Sequence, residues 1–231
     1  ELPAEVEAVQ EFVESNVISK LTTGALSTLD ELSLSPVPLE ENEIYDSTGI
    51  GELDDSAILR WFEEKSEPHH LIRNVRRSLW SEIERKNMHQ KAANHWSKIK
   101  GDLARLVEMH HILNSGGDIE SHLLSNAEAL MVRSSAGLAT LIEDAIYCSP
   151  SKPLHRIAAM VAIERGESEI ASAHLSNCNA PDLQYSLSLL EGNTNLSIPD
   201  NSDSRLILSE ASRRLDDRIP GQPPEDSIID L

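Results

Sequence analysis

The sequence predicts an all-helical (all-α) fold, a helical bundle or α-solenoid-like domain with an acidic, partly disordered N-terminal arm. Apolar residues recur every three or four positions through most of the chain, which is typical of amphipathic helices. No proline interrupts the sequence between Pro68 and Pro150. Aromatic residues make up only 3% of the 231 residues, too few for an ordinary β-sandwich core.

Two segments precede the main domain. Residues 1–34 are predicted to form one or two acidic amphipathic helices, because valines recur at helical spacing on one face: Val6, Val9, Val13 and Val17. Residues 35–55, SPVPLEENEIYDSTGIGELDD, contain seven carboxylates, no Lys or Arg, and no apolar periodicity. This segment is predicted to be an acidic linker without packed structure of its own.

Residues 56–219 are predicted to form the all-helical domain, and residues 220–231 a flexible tail. The first helix begins at Asp55 or Ser56 and ends before Pro68. One long helix or two then run to about residue 115, with a weak point at Gly101. Their apolar stripe is predicted to be buried: Leu71, Val75, Leu79, Ile83, Trp96, Leu103 and Leu106.

Shorter helices are predicted after Gly116-Gly117, a pair that favours a left-handed C-terminal cap. Asp118 is expected to cap the next helix, and another runs from about Ser135 to Cys148. Three short helices follow, with a rhythm like that of a helical repeat but no fixed period. Small residues should let them pack closely: Ala158, Ala159, Ala162, Ala171 and Ala173.

The charge is distributed unevenly along the chain. The net charge is −19, and residues 1–59 hold 14 acids and one base, Lys20, which gives −13. Residues 60–111 hold 11 bases and 7 acids, which gives +4. So acidic a chain should bind neither nucleic acid directly nor an anionic membrane. The acidic arm is expected to dock on a basic surface of another protein or to fold onto residues 60–111.

No residue pattern indicates catalysis, a cofactor or a metal site. Glu108-x-x-His111 has the spacing of a bundle-type di-iron ligand pair, but the second such pair, Glu67-x-x-His70, contains a proline. His89 and His95 are six residues apart and do not share a helical face. The two cysteines, Cys148 and Cys178, are expected to be thiols of an intracellular protein, cytoplasmic or nuclear. The chain begins at Glu1 without Met, as a processed chain or a fragment would.

Two short stretches resemble known motifs. VAIERGESEIASAHLSN is similar to the helix-turn-helix of bacterial repressors, which would make residues 168–177 a DNA-recognition helix. Ser172 stands where that motif has a buried Val or Ile, and a plain helical corner is the preferred interpretation. The terminal PEDSIIDL resembles a SUMO-interacting motif, which implies a SUMO-like partner at the tail. The alternative interpretation is an arbitrary aliphatic end.

The sequence therefore predicts a non-catalytic protein–protein interaction module, a scaffold or adaptor subunit, or a fragment of one, in a larger intracellular assembly. The alternatives are an acidic mimic of nucleic acid that inhibits a DNA-binding protein, and the helix-turn-helix DNA binder. Partners should be other proteins with basic surfaces. The predicted binding residues are Glu40, Glu41, Glu43, Ile44, Tyr45, Asp54, Asp55, Ile228, Ile229 and Leu231.

Overall fold

The computed structural model describes residues 4–193, 207–208 and 210–212, and it confirms a mainly helical fold. Its α-helices are α1 Ala4–Asn16, α2 Thr23–Leu34, α3 Ile50–Asp55, α4 His70–Ser78, α5 Glu82–Trp96, α6 Asp102–Asn114, α7 Glu120–Cys148, α8 Lys152–Glu164, α9 Ser168–Leu175 and α10 Pro181–Leu190. Short 3₁₀ turns occupy Ile18–Lys20 and Glu41–Glu43. A small sheet contains β1 Leu39–Glu40, β2 Leu59–Phe62 and β3 Lys65–Pro68.

The described residues divide into two compact units. The first contains the residues up to 122 together with 128–134, and the second contains 123–127 and the residues from 135 onward. Helix α7 contributes to both units, and its helical path is interrupted at Ser134, whose φ is −154° and ψ is 58°. The predicted domain boundary at residue 56 is wrong, because α2 shares one core with α5 and α6, and Val13 of α1 packs with Val75 of α4.

The core of the first unit is built around helix α2. Its buried face meets Trp96 of α5 and Val107 of α6, both almost inaccessible to water. A side chain of this kind contributes about 1.5–3 kcal/mol when it is fully buried. The buried members of the cluster are Ala25, Leu29, Leu32, Leu39, Ile44, Leu53, Ile58, Leu59, Ala92, Trp96, Ala104 and Val107.

Residues 35–55 do not form the unpacked linker that the sequence predicts. Leu39, Ile44 and Leu53 are buried in the core of the first unit. The segment passes from β1 through a 3₁₀ turn into α3, so no single period relates its apolar positions. The prediction of a linker failed because the carboxylates between these apolar residues make the segment look uniformly polar.

A hydrogen-bonded contact with α2 fixes the second half of this segment. The fully buried Thr28 hydroxyl donates to the Asp46 carbonyl at 2.7 Å and accepts from the Gly49 amide at 3.1 Å. The Glu31 carboxylate accepts from two more backbone amides of the segment, at 2.6 and 3.2 Å. A Cβ atom on Gly49 would lie 2.2 Å from the Cα atom of Ala25, so only glycine fits.

Residues 56–68 form a β-hairpin where the sequence predicts a helix. Ala57 takes a left-handed conformation after α3, with φ 54°. Strands β2 and β3 pair antiparallel through the two-residue loop Glu63–Glu64, and β1 pairs with the other side of β3. Glu63 also has a positive φ, 58°, where glycine or asparagine is normally preferred. The β-branched and aromatic run ILRWF favours a strand, and this preference outweighs its weak helical pattern.

Three helices, α4, α5 and α6, replace the one or two long helices predicted up to residue 115. Three residues of the predicted stripe are buried: Val75, Trp96 and Leu106. The other four are half-buried or exposed: Leu71, Leu79, Ile83 and Leu103. The chain leaves helical geometry at residues 79–81 and 97–101, and each break shifts the phase of the stripe. Gly101, with φ 129°, is one of these breaks, as predicted.

The second unit contains the three short helices that the sequence predicts. Helices α8, α9 and α10 contact one another pairwise. Their shared core is formed by Ala159, Ala162, Ala171, Leu175, Ala180 and Leu187, whereas Ala173 is exposed. The Ser151 hydroxyl caps α8 by accepting from the Leu154 amide, and Gly166, with φ 75°, turns the chain into α9. The tail predicted for residues 220–231 lies outside the described residues.

Replacing Gly49 with Ala should lower the free energy of unfolding by about 1–3 kcal/mol, because the added methyl group overlaps the α2 backbone. Gly51→Ala is the matched control. Nothing lies within 4 Å of its added Cβ, so this variant should stabilise α3 by up to about 1 kcal/mol. Urea unfolding followed by circular dichroism measures both changes. Equal unfolding midpoints for the two variants would contradict the close approach of this segment to α2.

Trp96→Ala should lower the free energy of unfolding by about 3–5 kcal/mol, because it leaves a cavity in the core of the first unit. Ile83→Ala, at a position 74% exposed, should change it by less than about 0.5 kcal/mol. Thermal melting distinguishes this arrangement from the continuous stripe, in which both residues would be core positions and both variants would be destabilised.

Candidate functional site

Three of the predicted binding residues make contacts inside the first unit. Ile44 is buried in its core. Glu43 accepts a hydrogen bond from the Glu40 amide at 2.9 Å, as part of a reciprocal cap on the 3₁₀ turn. The Glu40 carboxylate lies 3.8 Å from the ammonium of Lys65. At this point the acidic segment folds onto residues 60–111, the second of the two arrangements that the charge pattern allows.

Helix α2 continues this contact between acidic and basic regions. The Asp30 carboxylate accepts two hydrogen bonds from the Arg76 guanidinium, at 2.5 and 3.0 Å. Arg77 donates to the Ser33 carbonyl at 2.6 Å. Both arginines belong to α4, so the acidic N-terminal region packs on the basic middle of its own chain.

Four predicted binding residues remain exposed on the first unit: Glu41, Tyr45, Asp54 and Asp55. Tyr45 packs edge-on against His95, with 5.6 Å between ring centroids, and lines a groove of about 440 Å³ beside α2, α4 and α5. Ile228, Ile229 and Leu231 lie outside the described residues.

The end of α3 and the β-hairpin form an acidic and aromatic surface, called here the hairpin surface. Its members are Asp54, Asp55, Trp61, Phe62, Glu63 and Glu64, all exposed. The Trp61 indole N–H donates to the Asp54 carboxylate at 2.7 Å, and the Arg60 guanidinium lies 5.2 Å from the centre of the Phe62 ring. Sequence reasoning missed both aromatics because it assigned a helix here; the dense aromatic and β-branched run was the available signal.

Helices α5 and α6 bring three imidazoles together, and this group is called here the histidine cluster. His89 lies on α5, and the adjacent His110 and His111 lie on α6. One ring nitrogen from each residue lies within 4.8 Å of the others. The Nδ1 atoms of His89 and His111 are 2.9 Å apart, a hydrogen-bond distance. His89 and His111 are buried, whereas His110 is half-buried.

The buried members of the histidine cluster are neutral at physiological pH. Burial, followed by the charge of His110, lowers the pKa of His89 to about 3 and that of His111 to about 2. One ring of the pair therefore donates a hydrogen bond from its Nδ1–H to the Nδ1 lone pair of the other. Sequence reasoning missed the cluster because only the packing of α5 on α6 brings His89 to His111.

The second unit contains a hydrogen-bonded chain of three titratable residues. The His174 Nε2 atom lies 2.8 Å from the Glu143 carboxylate, and its Nδ1 atom lies 3.1 Å from Nδ1 of His155. Burial, with a contribution from His174, lowers the pKa of His155. His174 is buried and Glu143 is exposed, so the chain leads from the interior to the surface.

The structure also places the di-iron-like pair, the Cys178 thiol and the corner that resembles a helix-turn-helix. The Glu108 carboxylate of the di-iron-like pair is buried and bonded to Arg105. Burial raises the pKa of the Cys178 thiol, which disfavours the nucleophilic thiolate. The corner between α8 and α9 has helix-turn-helix connectivity, but Ser172, at the position where repressors bury an apolar residue, is exposed.

No protein-family model, curated protein or solved structure matches this chain. Within the described ranges, no helix is both long and apolar enough to span a bilayer.

Proposed function

We propose that this protein is a non-catalytic interaction module, a scaffold or adaptor subunit that binds a basic, extended segment of another protein at the hairpin surface. One observation carries the proposal. Two adjacent aromatic side chains on a short edge strand, Trp61 and Phe62, are exposed among four carboxylates.

The use of aromatic residues supports binding at the surface. The chain has eight aromatic residues, and five of them are exposed: Phe12, Tyr45, Trp61, Phe62 and Tyr147. An aromatic side chain stabilises the fold more when it is buried in a core than when it is exposed, so these five positions do not serve stability. Aromatic residues are enriched at protein interfaces, where a few of them supply most of the binding energy.

The pairing of the sheet supports an extended partner. Within the described part of the chain, β3 is the central strand and the outer edge of β2 pairs with no further strand. In an antiparallel pair, backbone N–H and C=O groups of alternate residues point away from the neighbouring strand. An incoming strand can use these groups, while Trp61 and Phe62, on opposite faces of β2, hold its side chains.

The charge of the hairpin surface supports a basic partner. Asp54, Asp55, Glu63 and Glu64 border the two aromatics, with Arg60 held over the Phe62 ring. Lysine or arginine side chains of the partner would meet these carboxylates. Mimicry of nucleic acid has less support, because acids such as Asp30 and Glu40 pair with bases of the same chain. Nucleic acid and anionic membranes are disfavoured by the same carboxylates.

Two further elements complete the proposal. An intracellular compartment, cytoplasmic or nuclear, suits the free thiols of Cys148 and Cys178. The SUMO-like partner of the C-terminal tail stays a prediction of the sequence alone, since that tail lies outside the described residues.

The double variant Trp61→Ala, Phe62→Ala should lose its specific partners in quantitative pull-downs from cells. Binding of a recovered partner should weaken by about 30-fold or more, the effect of removing an interface hot spot. Asp54→Asn with Asp55→Asn should weaken binding mainly at low salt, because exposed charges are screened beyond about 8 Å at 0.15 M. Both aromatics are half-exposed, so the melting temperature should stay close to that of the parent.

Tyr147→Ala is the matched control, since Tyr147 is an exposed aromatic of the second unit. The proposal fails if the hairpin variant keeps its partners, or if the Tyr147 variant loses the same ones. It also fails if sedimentation shows a dimer of this chain that depends on Trp61, because the occupant of the edge would then be a second copy.

A further inference from the structure

We propose that the histidine cluster binds one Zn²⁺ ion through a ring nitrogen of each of His89, His110 and His111, with a fourth position open to water or to an external ligand. The sequence indicates no metal site, because residue spacing shows neither the contact between α5 and α6 nor the three nitrogens within 4.8 Å of one another.

The donor set fits zinc better than the hard divalent cations. Three imidazoles offer neutral nitrogen ligands, which suit Zn²⁺, Cu²⁺ and Ni²⁺, whereas Ca²⁺ and Mg²⁺ require oxygen. Zinc has no geometric preference from its d electrons, so it tolerates an irregular site. Three protein nitrogens with one open position is the arrangement of open zinc sites, in contrast to closed structural sites with four protein ligands.

The distances require only small side-chain movements. Zinc–nitrogen bonds are about 2.0–2.1 Å long, so two ligands of a tetrahedral ion lie about 3.3 Å apart. The Nδ1 atoms of His89 and His111 are 2.9 Å apart, which corresponds to an angle of about 90° at the ion. Opening this pair by about 0.4 Å gives the tetrahedral distance, and the donating ring must carry its proton on Nε2 in place of Nδ1, so that both Nδ1 lone pairs face the ion. A nitrogen of His110 lies within 4.8 Å of the other two, so the half-buried ring of His110 must move closer to them.

The positive charges near the histidine cluster favour an anion as the fourth ligand. Arg77 and Arg85 lie close enough to His89 to act on its charge, and they disfavour a cation there. An anion bound to the ion at the open position would offset this repulsion. The Glu108 carboxylate is bonded to Arg105, so it is not counted among the ligands.

The experiment uses the full chain, freed of metal by a chelator and then titrated with Zn²⁺ against a chromogenic chelator. We expect one equivalent of zinc per chain and a rise in melting temperature on binding. Co²⁺ in place of Zn²⁺ should give the visible absorption of a four-coordinate site. His110→Ala should weaken zinc binding by at least about 100-fold and abolish the thermal shift, since second-shell changes alone weaken such sites 10–100-fold.

His155→Ala is the control, since this residue belongs to the other group of neighbouring histidines, in the second unit. It should bind zinc as the parent does. His110 is half-buried, so its variant should fold, and circular dichroism checks this. The proposal is overturned if the parent binds no zinc at micromolar concentration, if folded His110→Ala binds it unchanged, or if binding is lost in His155→Ala. The first result would leave the pair of His89 and His111 as a hydrogen bond of the core only, and the other two would place the zinc on a different set of ligands.

Discussion

The buried hydroxyl of Thr28 holds the second half of the acidic segment against α2. Its hydrogen and one of its lone pairs both bond backbone groups of the segment, at Asp46 and Gly49. Without this hydroxyl, a buried amide and carbonyl would lack partners, at about 1–3 kcal/mol each. The contact brings the chain onto α2, and from there Leu53 enters the core and α3 leads into β2. The hydroxyl of Thr28 therefore helps to hold the hairpin surface in place on the first unit, together with the buried Leu53 and the carboxylate of Glu31.

The ion pairs between the N-terminal region and the middle of the chain contribute less to stability than apolar packing does. The pairs of Asp30 with Arg76 and of Glu40 with Lys65 are partly exposed, so each contributes at most about 1 kcal/mol. Burial of a single leucine of α2 contributes more. At Glu31 burial also has a larger effect than polar contacts. It raises the pKa of the carboxyl, although two amide hydrogen bonds favour the charged form. Apolar packing therefore stabilises the first unit more than its ion pairs do.

The sequence predicted those elements whose boundaries carry a local signal. Gly166 and the pair Ala180-Pro181 mark the ends of short helices, and these helices lie where predicted. Ile83 was misplaced because breaks in the chain shifted a helical phase that sequence alone treats as continuous. Residues 35–55 were misread because charge density is a poor guide where a few apolar residues have places in a core. Of the hairpin surface only Asp54 and Asp55 were predicted, because its aromatic part depends on how β2 pairs. The histidine cluster was missed because it depends on which helix packs against α5.

The strand β2 lies between two residues, Ala57 and Glu63, that hold left-handed backbone conformations without being glycine. Such a conformation is less stable by about 1–2 kcal/mol for an ordinary residue, so the packing around the hairpin must enforce its shape. Local opening of the hairpin therefore requires less free energy than opening of the core, and its amide hydrogens exchange with solvent sooner. A molecule that pairs only with the closed hairpin stabilises the closed form by mass action. The more of it is bound at the edge of β2, the larger the fraction of chains in which the hairpin is closed.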